Sequence, residues 1–191
     1  SVIGNLAKRG YNVSHATGSK SFTETLRKRV GSRAGNLFRY FNSFQHSEPN
    51  DLDVLVADEA HRIRITSNSR FTPRALRTNA QQVDELIRSA RVPMFLLDEQ
   101  QTVRPGEIGT VEEIRNAAAR LGTRMIEVDL DGQFRSGGSE GYLHWVQSFL
   151  GLAAGKPTHW GVDERFYLCT ADTPTAMEAW LKGKNDSGFT S

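Results

Sequence analysis

Two carboxylates stand side by side at Asp58 and Glu59, at the end of the run Asp53-Val-Leu-Val-Ala-Asp58-Glu59-Ala60-His61. Four apolar residues in sequence read as a buried strand, and in open parallel sheets ligands bind at the carboxyl ends of the strands. Hydrolysis of a nucleoside triphosphate needs one carboxylate to hold Mg²⁺, usually through water. It needs a second to orient or activate the attacking water. Asp58 fits the first role and Glu59 the second. A strand ending in a solvated acidic turn has the same spelling, so the pair needs support from elsewhere in the chain.

That support comes from a second strand ending in acid, Met94-Phe-Leu-Leu-Asp98-Glu-Gln-Gln101. The amide of Gln101 can bond a phosphate oxygen or the hydrolytic water, with Asp98 positioning it. Alone, Gln101 is an ordinary loop residue; in register with the first acidic strand it suits a γ-phosphate sensor. A third element, Leu130-Asp-Gly-Gln-Phe-Arg135-Ser, also follows an expected strand. Arg135 can stabilise charge spreading over a γ-phosphate in the transition state, as an arginine finger does. Its plain alternative is a surface arginine in a salt bridge.

These residues need a scaffold that brings strand ends together. Apolar runs predict strands over Tyr11–Ala16, Asp53–Ala57, Val92–Leu97, Met125–Leu130 and Arg165–Thr170. Helical periodicity predicts helices over Ser21–Val30, Gln82–Ala90, Val111–Leu121 and Ser139–Leu150, and from about Thr175. The chain also starts in what reads as the middle of a helix. Strand–helix alternation with near-continuous apolar strands implies a parallel sheet covered on both faces. Tyr142, Trp145 and Phe149 recur at helical spacing and are expected in the core, as is Cys169 within its strand. A domain boundary is expected within 136–161.

Composition bounds what else the chain can be. Hydrophobic residues make up 38% and charged residues 24% of 191 residues, the balance of a globular protein with a real core. No run of about eighteen apolar residues occurs, and no basic-then-apolar leader opens the chain, so no membrane partner is expected. The single Cys169 excludes an internal disulfide and a cysteine cluster, and a reducing cytoplasm suits it. The five histidines show no metal-ligand spacing. Net charge is only +2, which permits a polyanion partner without demanding one.

Asp-Glu-Ala-His, then Asp-x-x-Gln, then Gln-Phe-Arg resembles the ordered motif set of superfamily 1 helicase-like ATPases. The Asp-Glu-Ala-His spelling also occurs in superfamily 2, and the two later motifs favour superfamily 1. The match is closest to a Schlafen-like bacterial family long labelled a domain of unknown function. It rests on Gly10-Tyr-Asn-Val13, Ala16-Thr-Gly-Ser-Lys20, Asp58-Glu-Ala-His-Arg-Ile63, Arg104-Pro-Gly-Glu-Ile-Gly109 and Gln133-Phe-Arg135. The resemblance implies an α/β fold, a RecA-like three-layer α/β/α domain with a mostly parallel sheet, and ATP with Mg²⁺ as cofactors. On it, residues 1–138 are the ATPase domain and 139–191 a connecting helix with the start of a second lobe.

Such a domain needs a phosphate loop, Gly-x-x-x-x-Gly-Lys-Ser/Thr. The one candidate segment, Gly18-Ser-Lys20-Ser21, has Ser14 and Ser19 where glycines belong and follows the wrong strand. The family pattern puts the loop immediately before residue 1, which would make Ser1 the Mg²⁺-binding serine of Gly-Lys-Ser. Both ends then look cut, and parts of the parent chain count among the missing partners. The first strand is expected to be missing with the loop, and weak or absent ATP binding is expected of these 191 residues.

Ala16–Ser21 occupies the place of the family's single-strand contact loop. Thr17, Ser19 and Lys20 at a helix start can bind phosphates without reading sequence. Arginines and lysines then crowd positions 27–33 and 62–77, Arg62 and Arg70 among them. They read as a polyanion surface or as a solvated face. Phe71 between arginines could stack on a base, although a core position is the ordinary fate of a Phe. The leading expectation is an ATP-hydrolysing motor acting on single-stranded DNA or RNA. The alternatives are a nucleic-acid-binding or regulatory module with a degenerate or switch-only cleft, and a non-helicase P-loop enzyme.

Overall fold

A computed structural model of the chain describes residues 2–98, 101, 105–130, 140–154, 159–160 and 168–187. The chain divides into two compact units, residues 1–126 and 127–191.

The first unit opens with helix α1 (Val2–Lys8), followed by strand β1 (Val13–Thr17) and helix α2 (Lys20–Val30). A short turn of helix, α3 (Ser32–Gly35), precedes strand β2 (Phe38–Tyr40) and a 3₁₀ turn at Phe41–Phe44. Strand β3 (Leu52–Asp58), helix α4 (Gln82–Arg88), strand β4 (Ala90–Phe95) and helix α5 (Val111–Arg120) complete it. The strands form one sheet in the order β2-β1-β3-β4, and every pairing is parallel. Parallel pairing forces each connection to cross back over the sheet. Helices α2 and α3 lie between β1 and β2 and α4 between β3 and β4, while the β2–β3 connection carries only the 3₁₀ turn and a loop. The expected α/β class with a parallel sheet is therefore what forms.

The central strands are the driest. All five residues of β1 are buried, and Leu55 and Ala57 of β3 are fully so. Phe41, Phe44, Val83, Leu86, Ile114 and Ala117 close over them in one core. Burying that much apolar side chain contributes roughly 1.5–3 kcal/mol for each large residue. Helix α5 begins at Thr110, whose hydroxyl accepts the Glu113 N–H at 3.1 Å. It is tied to α4 by Arg120 Nη2 on Asp84 Oδ1 at 2.7 Å.

Strand β4 departs from expectation. Read as a buried strand, it is the edge of the sheet among the described residues, and Val92 and Met94 are 54% and 42% exposed. Pro93 explains the position: with no N–H to donate, it is tolerated where one side of the ladder is open. Met125–Leu130, expected as a strand, forms neither strand nor helix. Its apolar alternation has the period of a strand, but Ile126, Val128 and Leu130 are exposed. Strand β2 carries no signal in the sequence; three residues are too few for a period to show.

In the second unit, helices α6 (Glu140–Phe149) and α7 (Pro174–Asp186) match the expected elements. Trp145 stacks on Phe149 and meets Trp160 edge-on, with Tyr142 beside Trp160. Phe149 is nonetheless 63% exposed, so the cluster lies at a surface and not in a sealed core. Cys169 is also exposed, against the expected buried thiol. Half of the expected strand Arg165–Thr170, residues 165–167, lies outside the described residues. No described helix is long and apolar enough to cross a membrane.

Candidate nucleotide site at the carboxyl edge of the sheet

The parallel register sets the site. Thr17 pairs with Asp58, and Ala57 pairs with Phe95, so β1, β3 and β4 end together at one edge of the sheet. The loops beyond these ends carry Ser19 and Lys20, Asp58 and Glu59, and Asp98 and Gln101. Three of the segments singled out in the sequence therefore share one edge.

Asp58 is held on both oxygens. Oδ1 accepts the backbone N–H of Glu59 at 3.0 Å, and Oδ2 lies 3.2 Å from His15 Nε2. The hydrogen bond from His15, with its positive charge when protonated and the Glu59 N–H, lowers the Asp58 pKa against the opposing cost of burial. The carboxylate is thus ionised across the neutral range, as a cation ligand must be. His15 is a site residue that sequence reasoning misses. It is buried on β1 between Phe22 and Phe38, and its Nδ1 has no partner among the described residues. The tautomer with the proton on Nε2 satisfies Asp58 and leaves a bare lone pair at Nδ1, cheaper to bury than an orphaned N–H.

Glu59 takes a left-handed backbone, φ 55° and ψ 43°, which costs a non-glycine residue on the order of 1 kcal/mol. Two backbone hydrogen bonds secure this turn. Ala60 N–H donates to Leu96 O at 2.8 Å, and Leu96 N–H donates to Ala57 O at 2.9 Å, so the loop after β4 holds the loop after β3. The Glu59 carboxylate is gathered in by its own neighbours: His61 Nε2 at 3.3 Å and Arg62 Nε at 3.2 Å both meet Oε2. His61 is buried.

Two glycines let backbones close on this turn. A Cβ on Gly18 would lie 2.8 Å from Arg62 Cβ, so the loop after β1 rests directly on Arg62. A Cβ on Gly109 would collide with the Ala60 carbonyl and stand 2.7 Å from His61 Cα. Ile108 N–H donates to Ile63 O at 2.7 Å, and Glu107 bridges Arg64 in antiparallel fashion. Residues Glu107–Gly109 of the Arg104–Gly109 segment, which the sequence marks only as a signature, are thereby a brace for the carboxylate turn; Arg104 lies outside the described residues.

The remaining candidates fall unevenly. Gln101 Nε2 donates to Asp98 Oδ2 at 2.9 Å, and Gln101 N–H donates to Asp98 O at 3.0 Å, so these two form a unit on an exposed loop. Lys20 is 81% exposed in its side chain and pairs loosely with Glu24 at 3.8 Å. Ser19 caps α2, its Oγ accepting from Phe22 N–H at 3.4 Å. Thr17, expected to touch nucleic acid, is fully buried, and its hydroxyl accepts from Ser19 N–H at 3.2 Å. It shapes the loop instead of facing a ligand. Arg70 lies on the separate loop 64–81, over Phe71. Phe71 is 78% exposed, against the expected core position. Ser1 and the Gln133-Phe-Arg135 motif lie outside the described residues. A depression of about 260 Å³ lies among Pro49, Asn50, Arg88 and Arg91, where β3 and β4 begin, and contains none of the candidate residues.

A family model described as Schlafen group 3, DNA/RNA helicase domain, matches residues 2–191. The chain belongs to that family. No curated protein and no solved structure matches it. The Schlafen helicase-type module thus carries a parallel sheet with the acidic residues Asp58, Glu59 and Asp98 at its strand ends.

Proposed function

We propose that this Schlafen helicase-type domain is the ATP-hydrolysing, nucleic-acid-engaging core of a motor, working on single-stranded DNA or RNA. The observation that carries the reading is the parallel register, which gives Asp58, Glu59 and the Ser19–Lys20 loop a common sheet edge. Residues 1–138 form the ATPase domain in this reading, and residues 139–191 begin a second lobe. Bound Mg–ATP supplies the scissile γ-phosphoryl group and the cation that neutralises its charge. Asp58, held ionised by His15, holds that cation through water. Glu59 orients the attacking water, Gln101 with Asp98 senses the γ-phosphate, and Arg135 stabilises its developing charge. Ser1 is a further cation ligand in this reading.

On the nucleic-acid side, Lys20, Arg62 and Arg70 bind phosphates, and Ser19 presents the start of α2. These contacts follow backbone charge and do not read bases. A second reading, a nucleic-acid-binding or regulatory module with a degenerate or switch-only cleft, is favoured by one observation: the Glu59 carboxylate is already held by its own neighbours His61 and Arg62.

Both readings require binding to a single strand, and titration of a labelled oligonucleotide at several salt concentrations tests it. Affinity falls steeply with salt, and Lys20→Ala lowers the log–log slope by about 0.7, the share of one single-strand phosphate. Salt-independent or absent binding overturns both.

A further inference from the structure

Loop 64–81 is built in two parts that differ sharply in chemistry. Its neck is clamped by a buried polar network around Glu85 of α4. Ser67 and Thr78 both donate hydroxyl hydrogen bonds to the Glu85 carboxylate, and Gln82 Nε2 donates to Ser67 Oγ at 3.0 Å. Glu85 and Ser67 are only 6% and 5% exposed. Asn68 closes the neck, donating to Thr78 O at 2.7 Å, and receives Gln45 Nε2 at 2.6 Å. Burying a carboxylate is costly unless its oxygens are bonded, and here both are.

The tip that this neck holds up buries almost nothing. Ser69–Thr72 form a tight turn: Ser69 N–H donates to Thr72 Oγ1 at 2.9 Å, Thr72 N–H returns to Ser69 O at 3.1 Å, and Phe71 N–H donates to Ser69 Oγ at 3.2 Å. The turn leaves the Phe71 ring 78% exposed, with the Arg70 guanidinium over it at 4.6 Å. Arg74 and Arg77 follow within the same exposed tip, and Arg77 Nε donates to Thr72 O at 3.2 Å. From Ala60 to Val83 the sequence has five arginines and no acid. A clamped neck presenting an exposed aromatic ring among arginines gains nothing for the core.

We propose that Phe71 is a base-stacking platform for single-stranded nucleic acid, with Arg70 stacked on the ring and Arg74 and Arg77 engaging the flanking phosphates. The inference rests on the nucleic-acid reading above and adds to it the contact that takes a base. Every base has a π-face, so such a platform accepts any sequence and needs unpaired bases. A duplex keeps its base faces stacked inside and offers the ring nothing but its ends.

Titration of the chain with a labelled single-stranded oligonucleotide tests this. Phe71→Ala weakens binding about five- to a hundredfold while the salt slope stays at the wild-type value, because stacking releases no counterions. Phe71→Trp keeps the affinity, and its added fluorescence is quenched on binding. Circular dichroism of both variants matches the wild type, since the exposed ring supports no packing. If Phe71→Ala binds as tightly as the wild type while binding remains salt-dependent, the platform is overturned and the wider reading stands. Added fluorescence in Phe71→Trp that stays unquenched in the bound complex also overturns it. If the wild type shows no salt-dependent binding, the wider reading fails instead, and the platform with it.

Discussion

Arg62 Nε lies 3.2 Å from Glu59 Oε2, while the Cβ of the same arginine stands 2.8 Å from where a methyl on Gly18 would sit. One side chain thus touches the proposed water-orienting carboxylate and the loop proposed to meet nucleic acid. The contact exists only because residue 18 has no side chain. Arg62 is therefore both a phosphate candidate and a fixed part of the carboxylate turn.

Adding a methyl group at either bracing glycine should destabilise the domain, and by unequal amounts. At Gly18 the obstacle is a side-chain Cβ, so Gly18→Ala costs about 1–3 kcal/mol as the loop shifts. At Gly109 the obstacle is backbone of Ala60 and His61, which cannot swing aside. Gly109→Ala is the worse of the two, at roughly 3 kcal/mol or more. Urea unfolding of both variants checks the ranking, and the reverse order would refute the close approach at Gly109.

The Asp58 carboxylate has its pKa lowered chiefly by the His15 hydrogen bond. A group with a depressed folded pKa contributes stability that is complete above its ordinary value of 3.8. That contribution drains away as pH falls below 3.8 through the lower folded value. In metal-free buffer, wild type should exceed Asp58→Asn in stability at about pH 6, and the gap should narrow toward about pH 3. Urea unfolding at both pH values measures it; a gap that does not change with pH removes the ionised Asp58 carboxylate from the account.

Glu85 and Glu24 offer a contrast between a buried and a surface carboxylate. Glu85→Ala strips the partners from Ser67 and Thr78 and costs about 1–3 kcal/mol. Glu24→Ala removes only the loose exposed pair with Lys20 and stays within about 0.5 kcal/mol of wild type. Amide exchange across residues 66–78 should quicken in Glu85→Ala alone. Unchanged exchange would mean that the neck is held by other contacts.

The strand ends are legible in the sequence because the signal is local. Four apolar residues followed by Asp58-Glu59 state both a buried strand and its chemical end, and α5 shows its period between Thr110 and Gly122. What the sequence hides depends on neighbours distant along the chain. His15 matters through a register that pairs β1 with β3, and nothing around His15 states that register. Thr17 looks like a ligand residue by loop position, yet the same pairing buries it. Phe71 looks like core by residue type, because no local pattern reveals that a polar neck around Glu85 lifts it into solvent. The apolar run of Val92–Leu97 and the alternation of Met125–Leu130 predict strands but not whether anything covers them.

Glu59 is the residue on which the proposed motor turns, and hydrolysis of Mg–ATP by the protein as the cell makes it, with and without single-stranded nucleic acid, tests that most directly. The wild type should hydrolyse ATP faster when the strand is present. Glu59→Gln should cut that stimulated rate about a hundredfold or more while nucleic-acid binding is retained. Wild-type turnover that ignores the strand, or a Glu59→Gln protein that hydrolyses at the wild-type rate, would contradict the account.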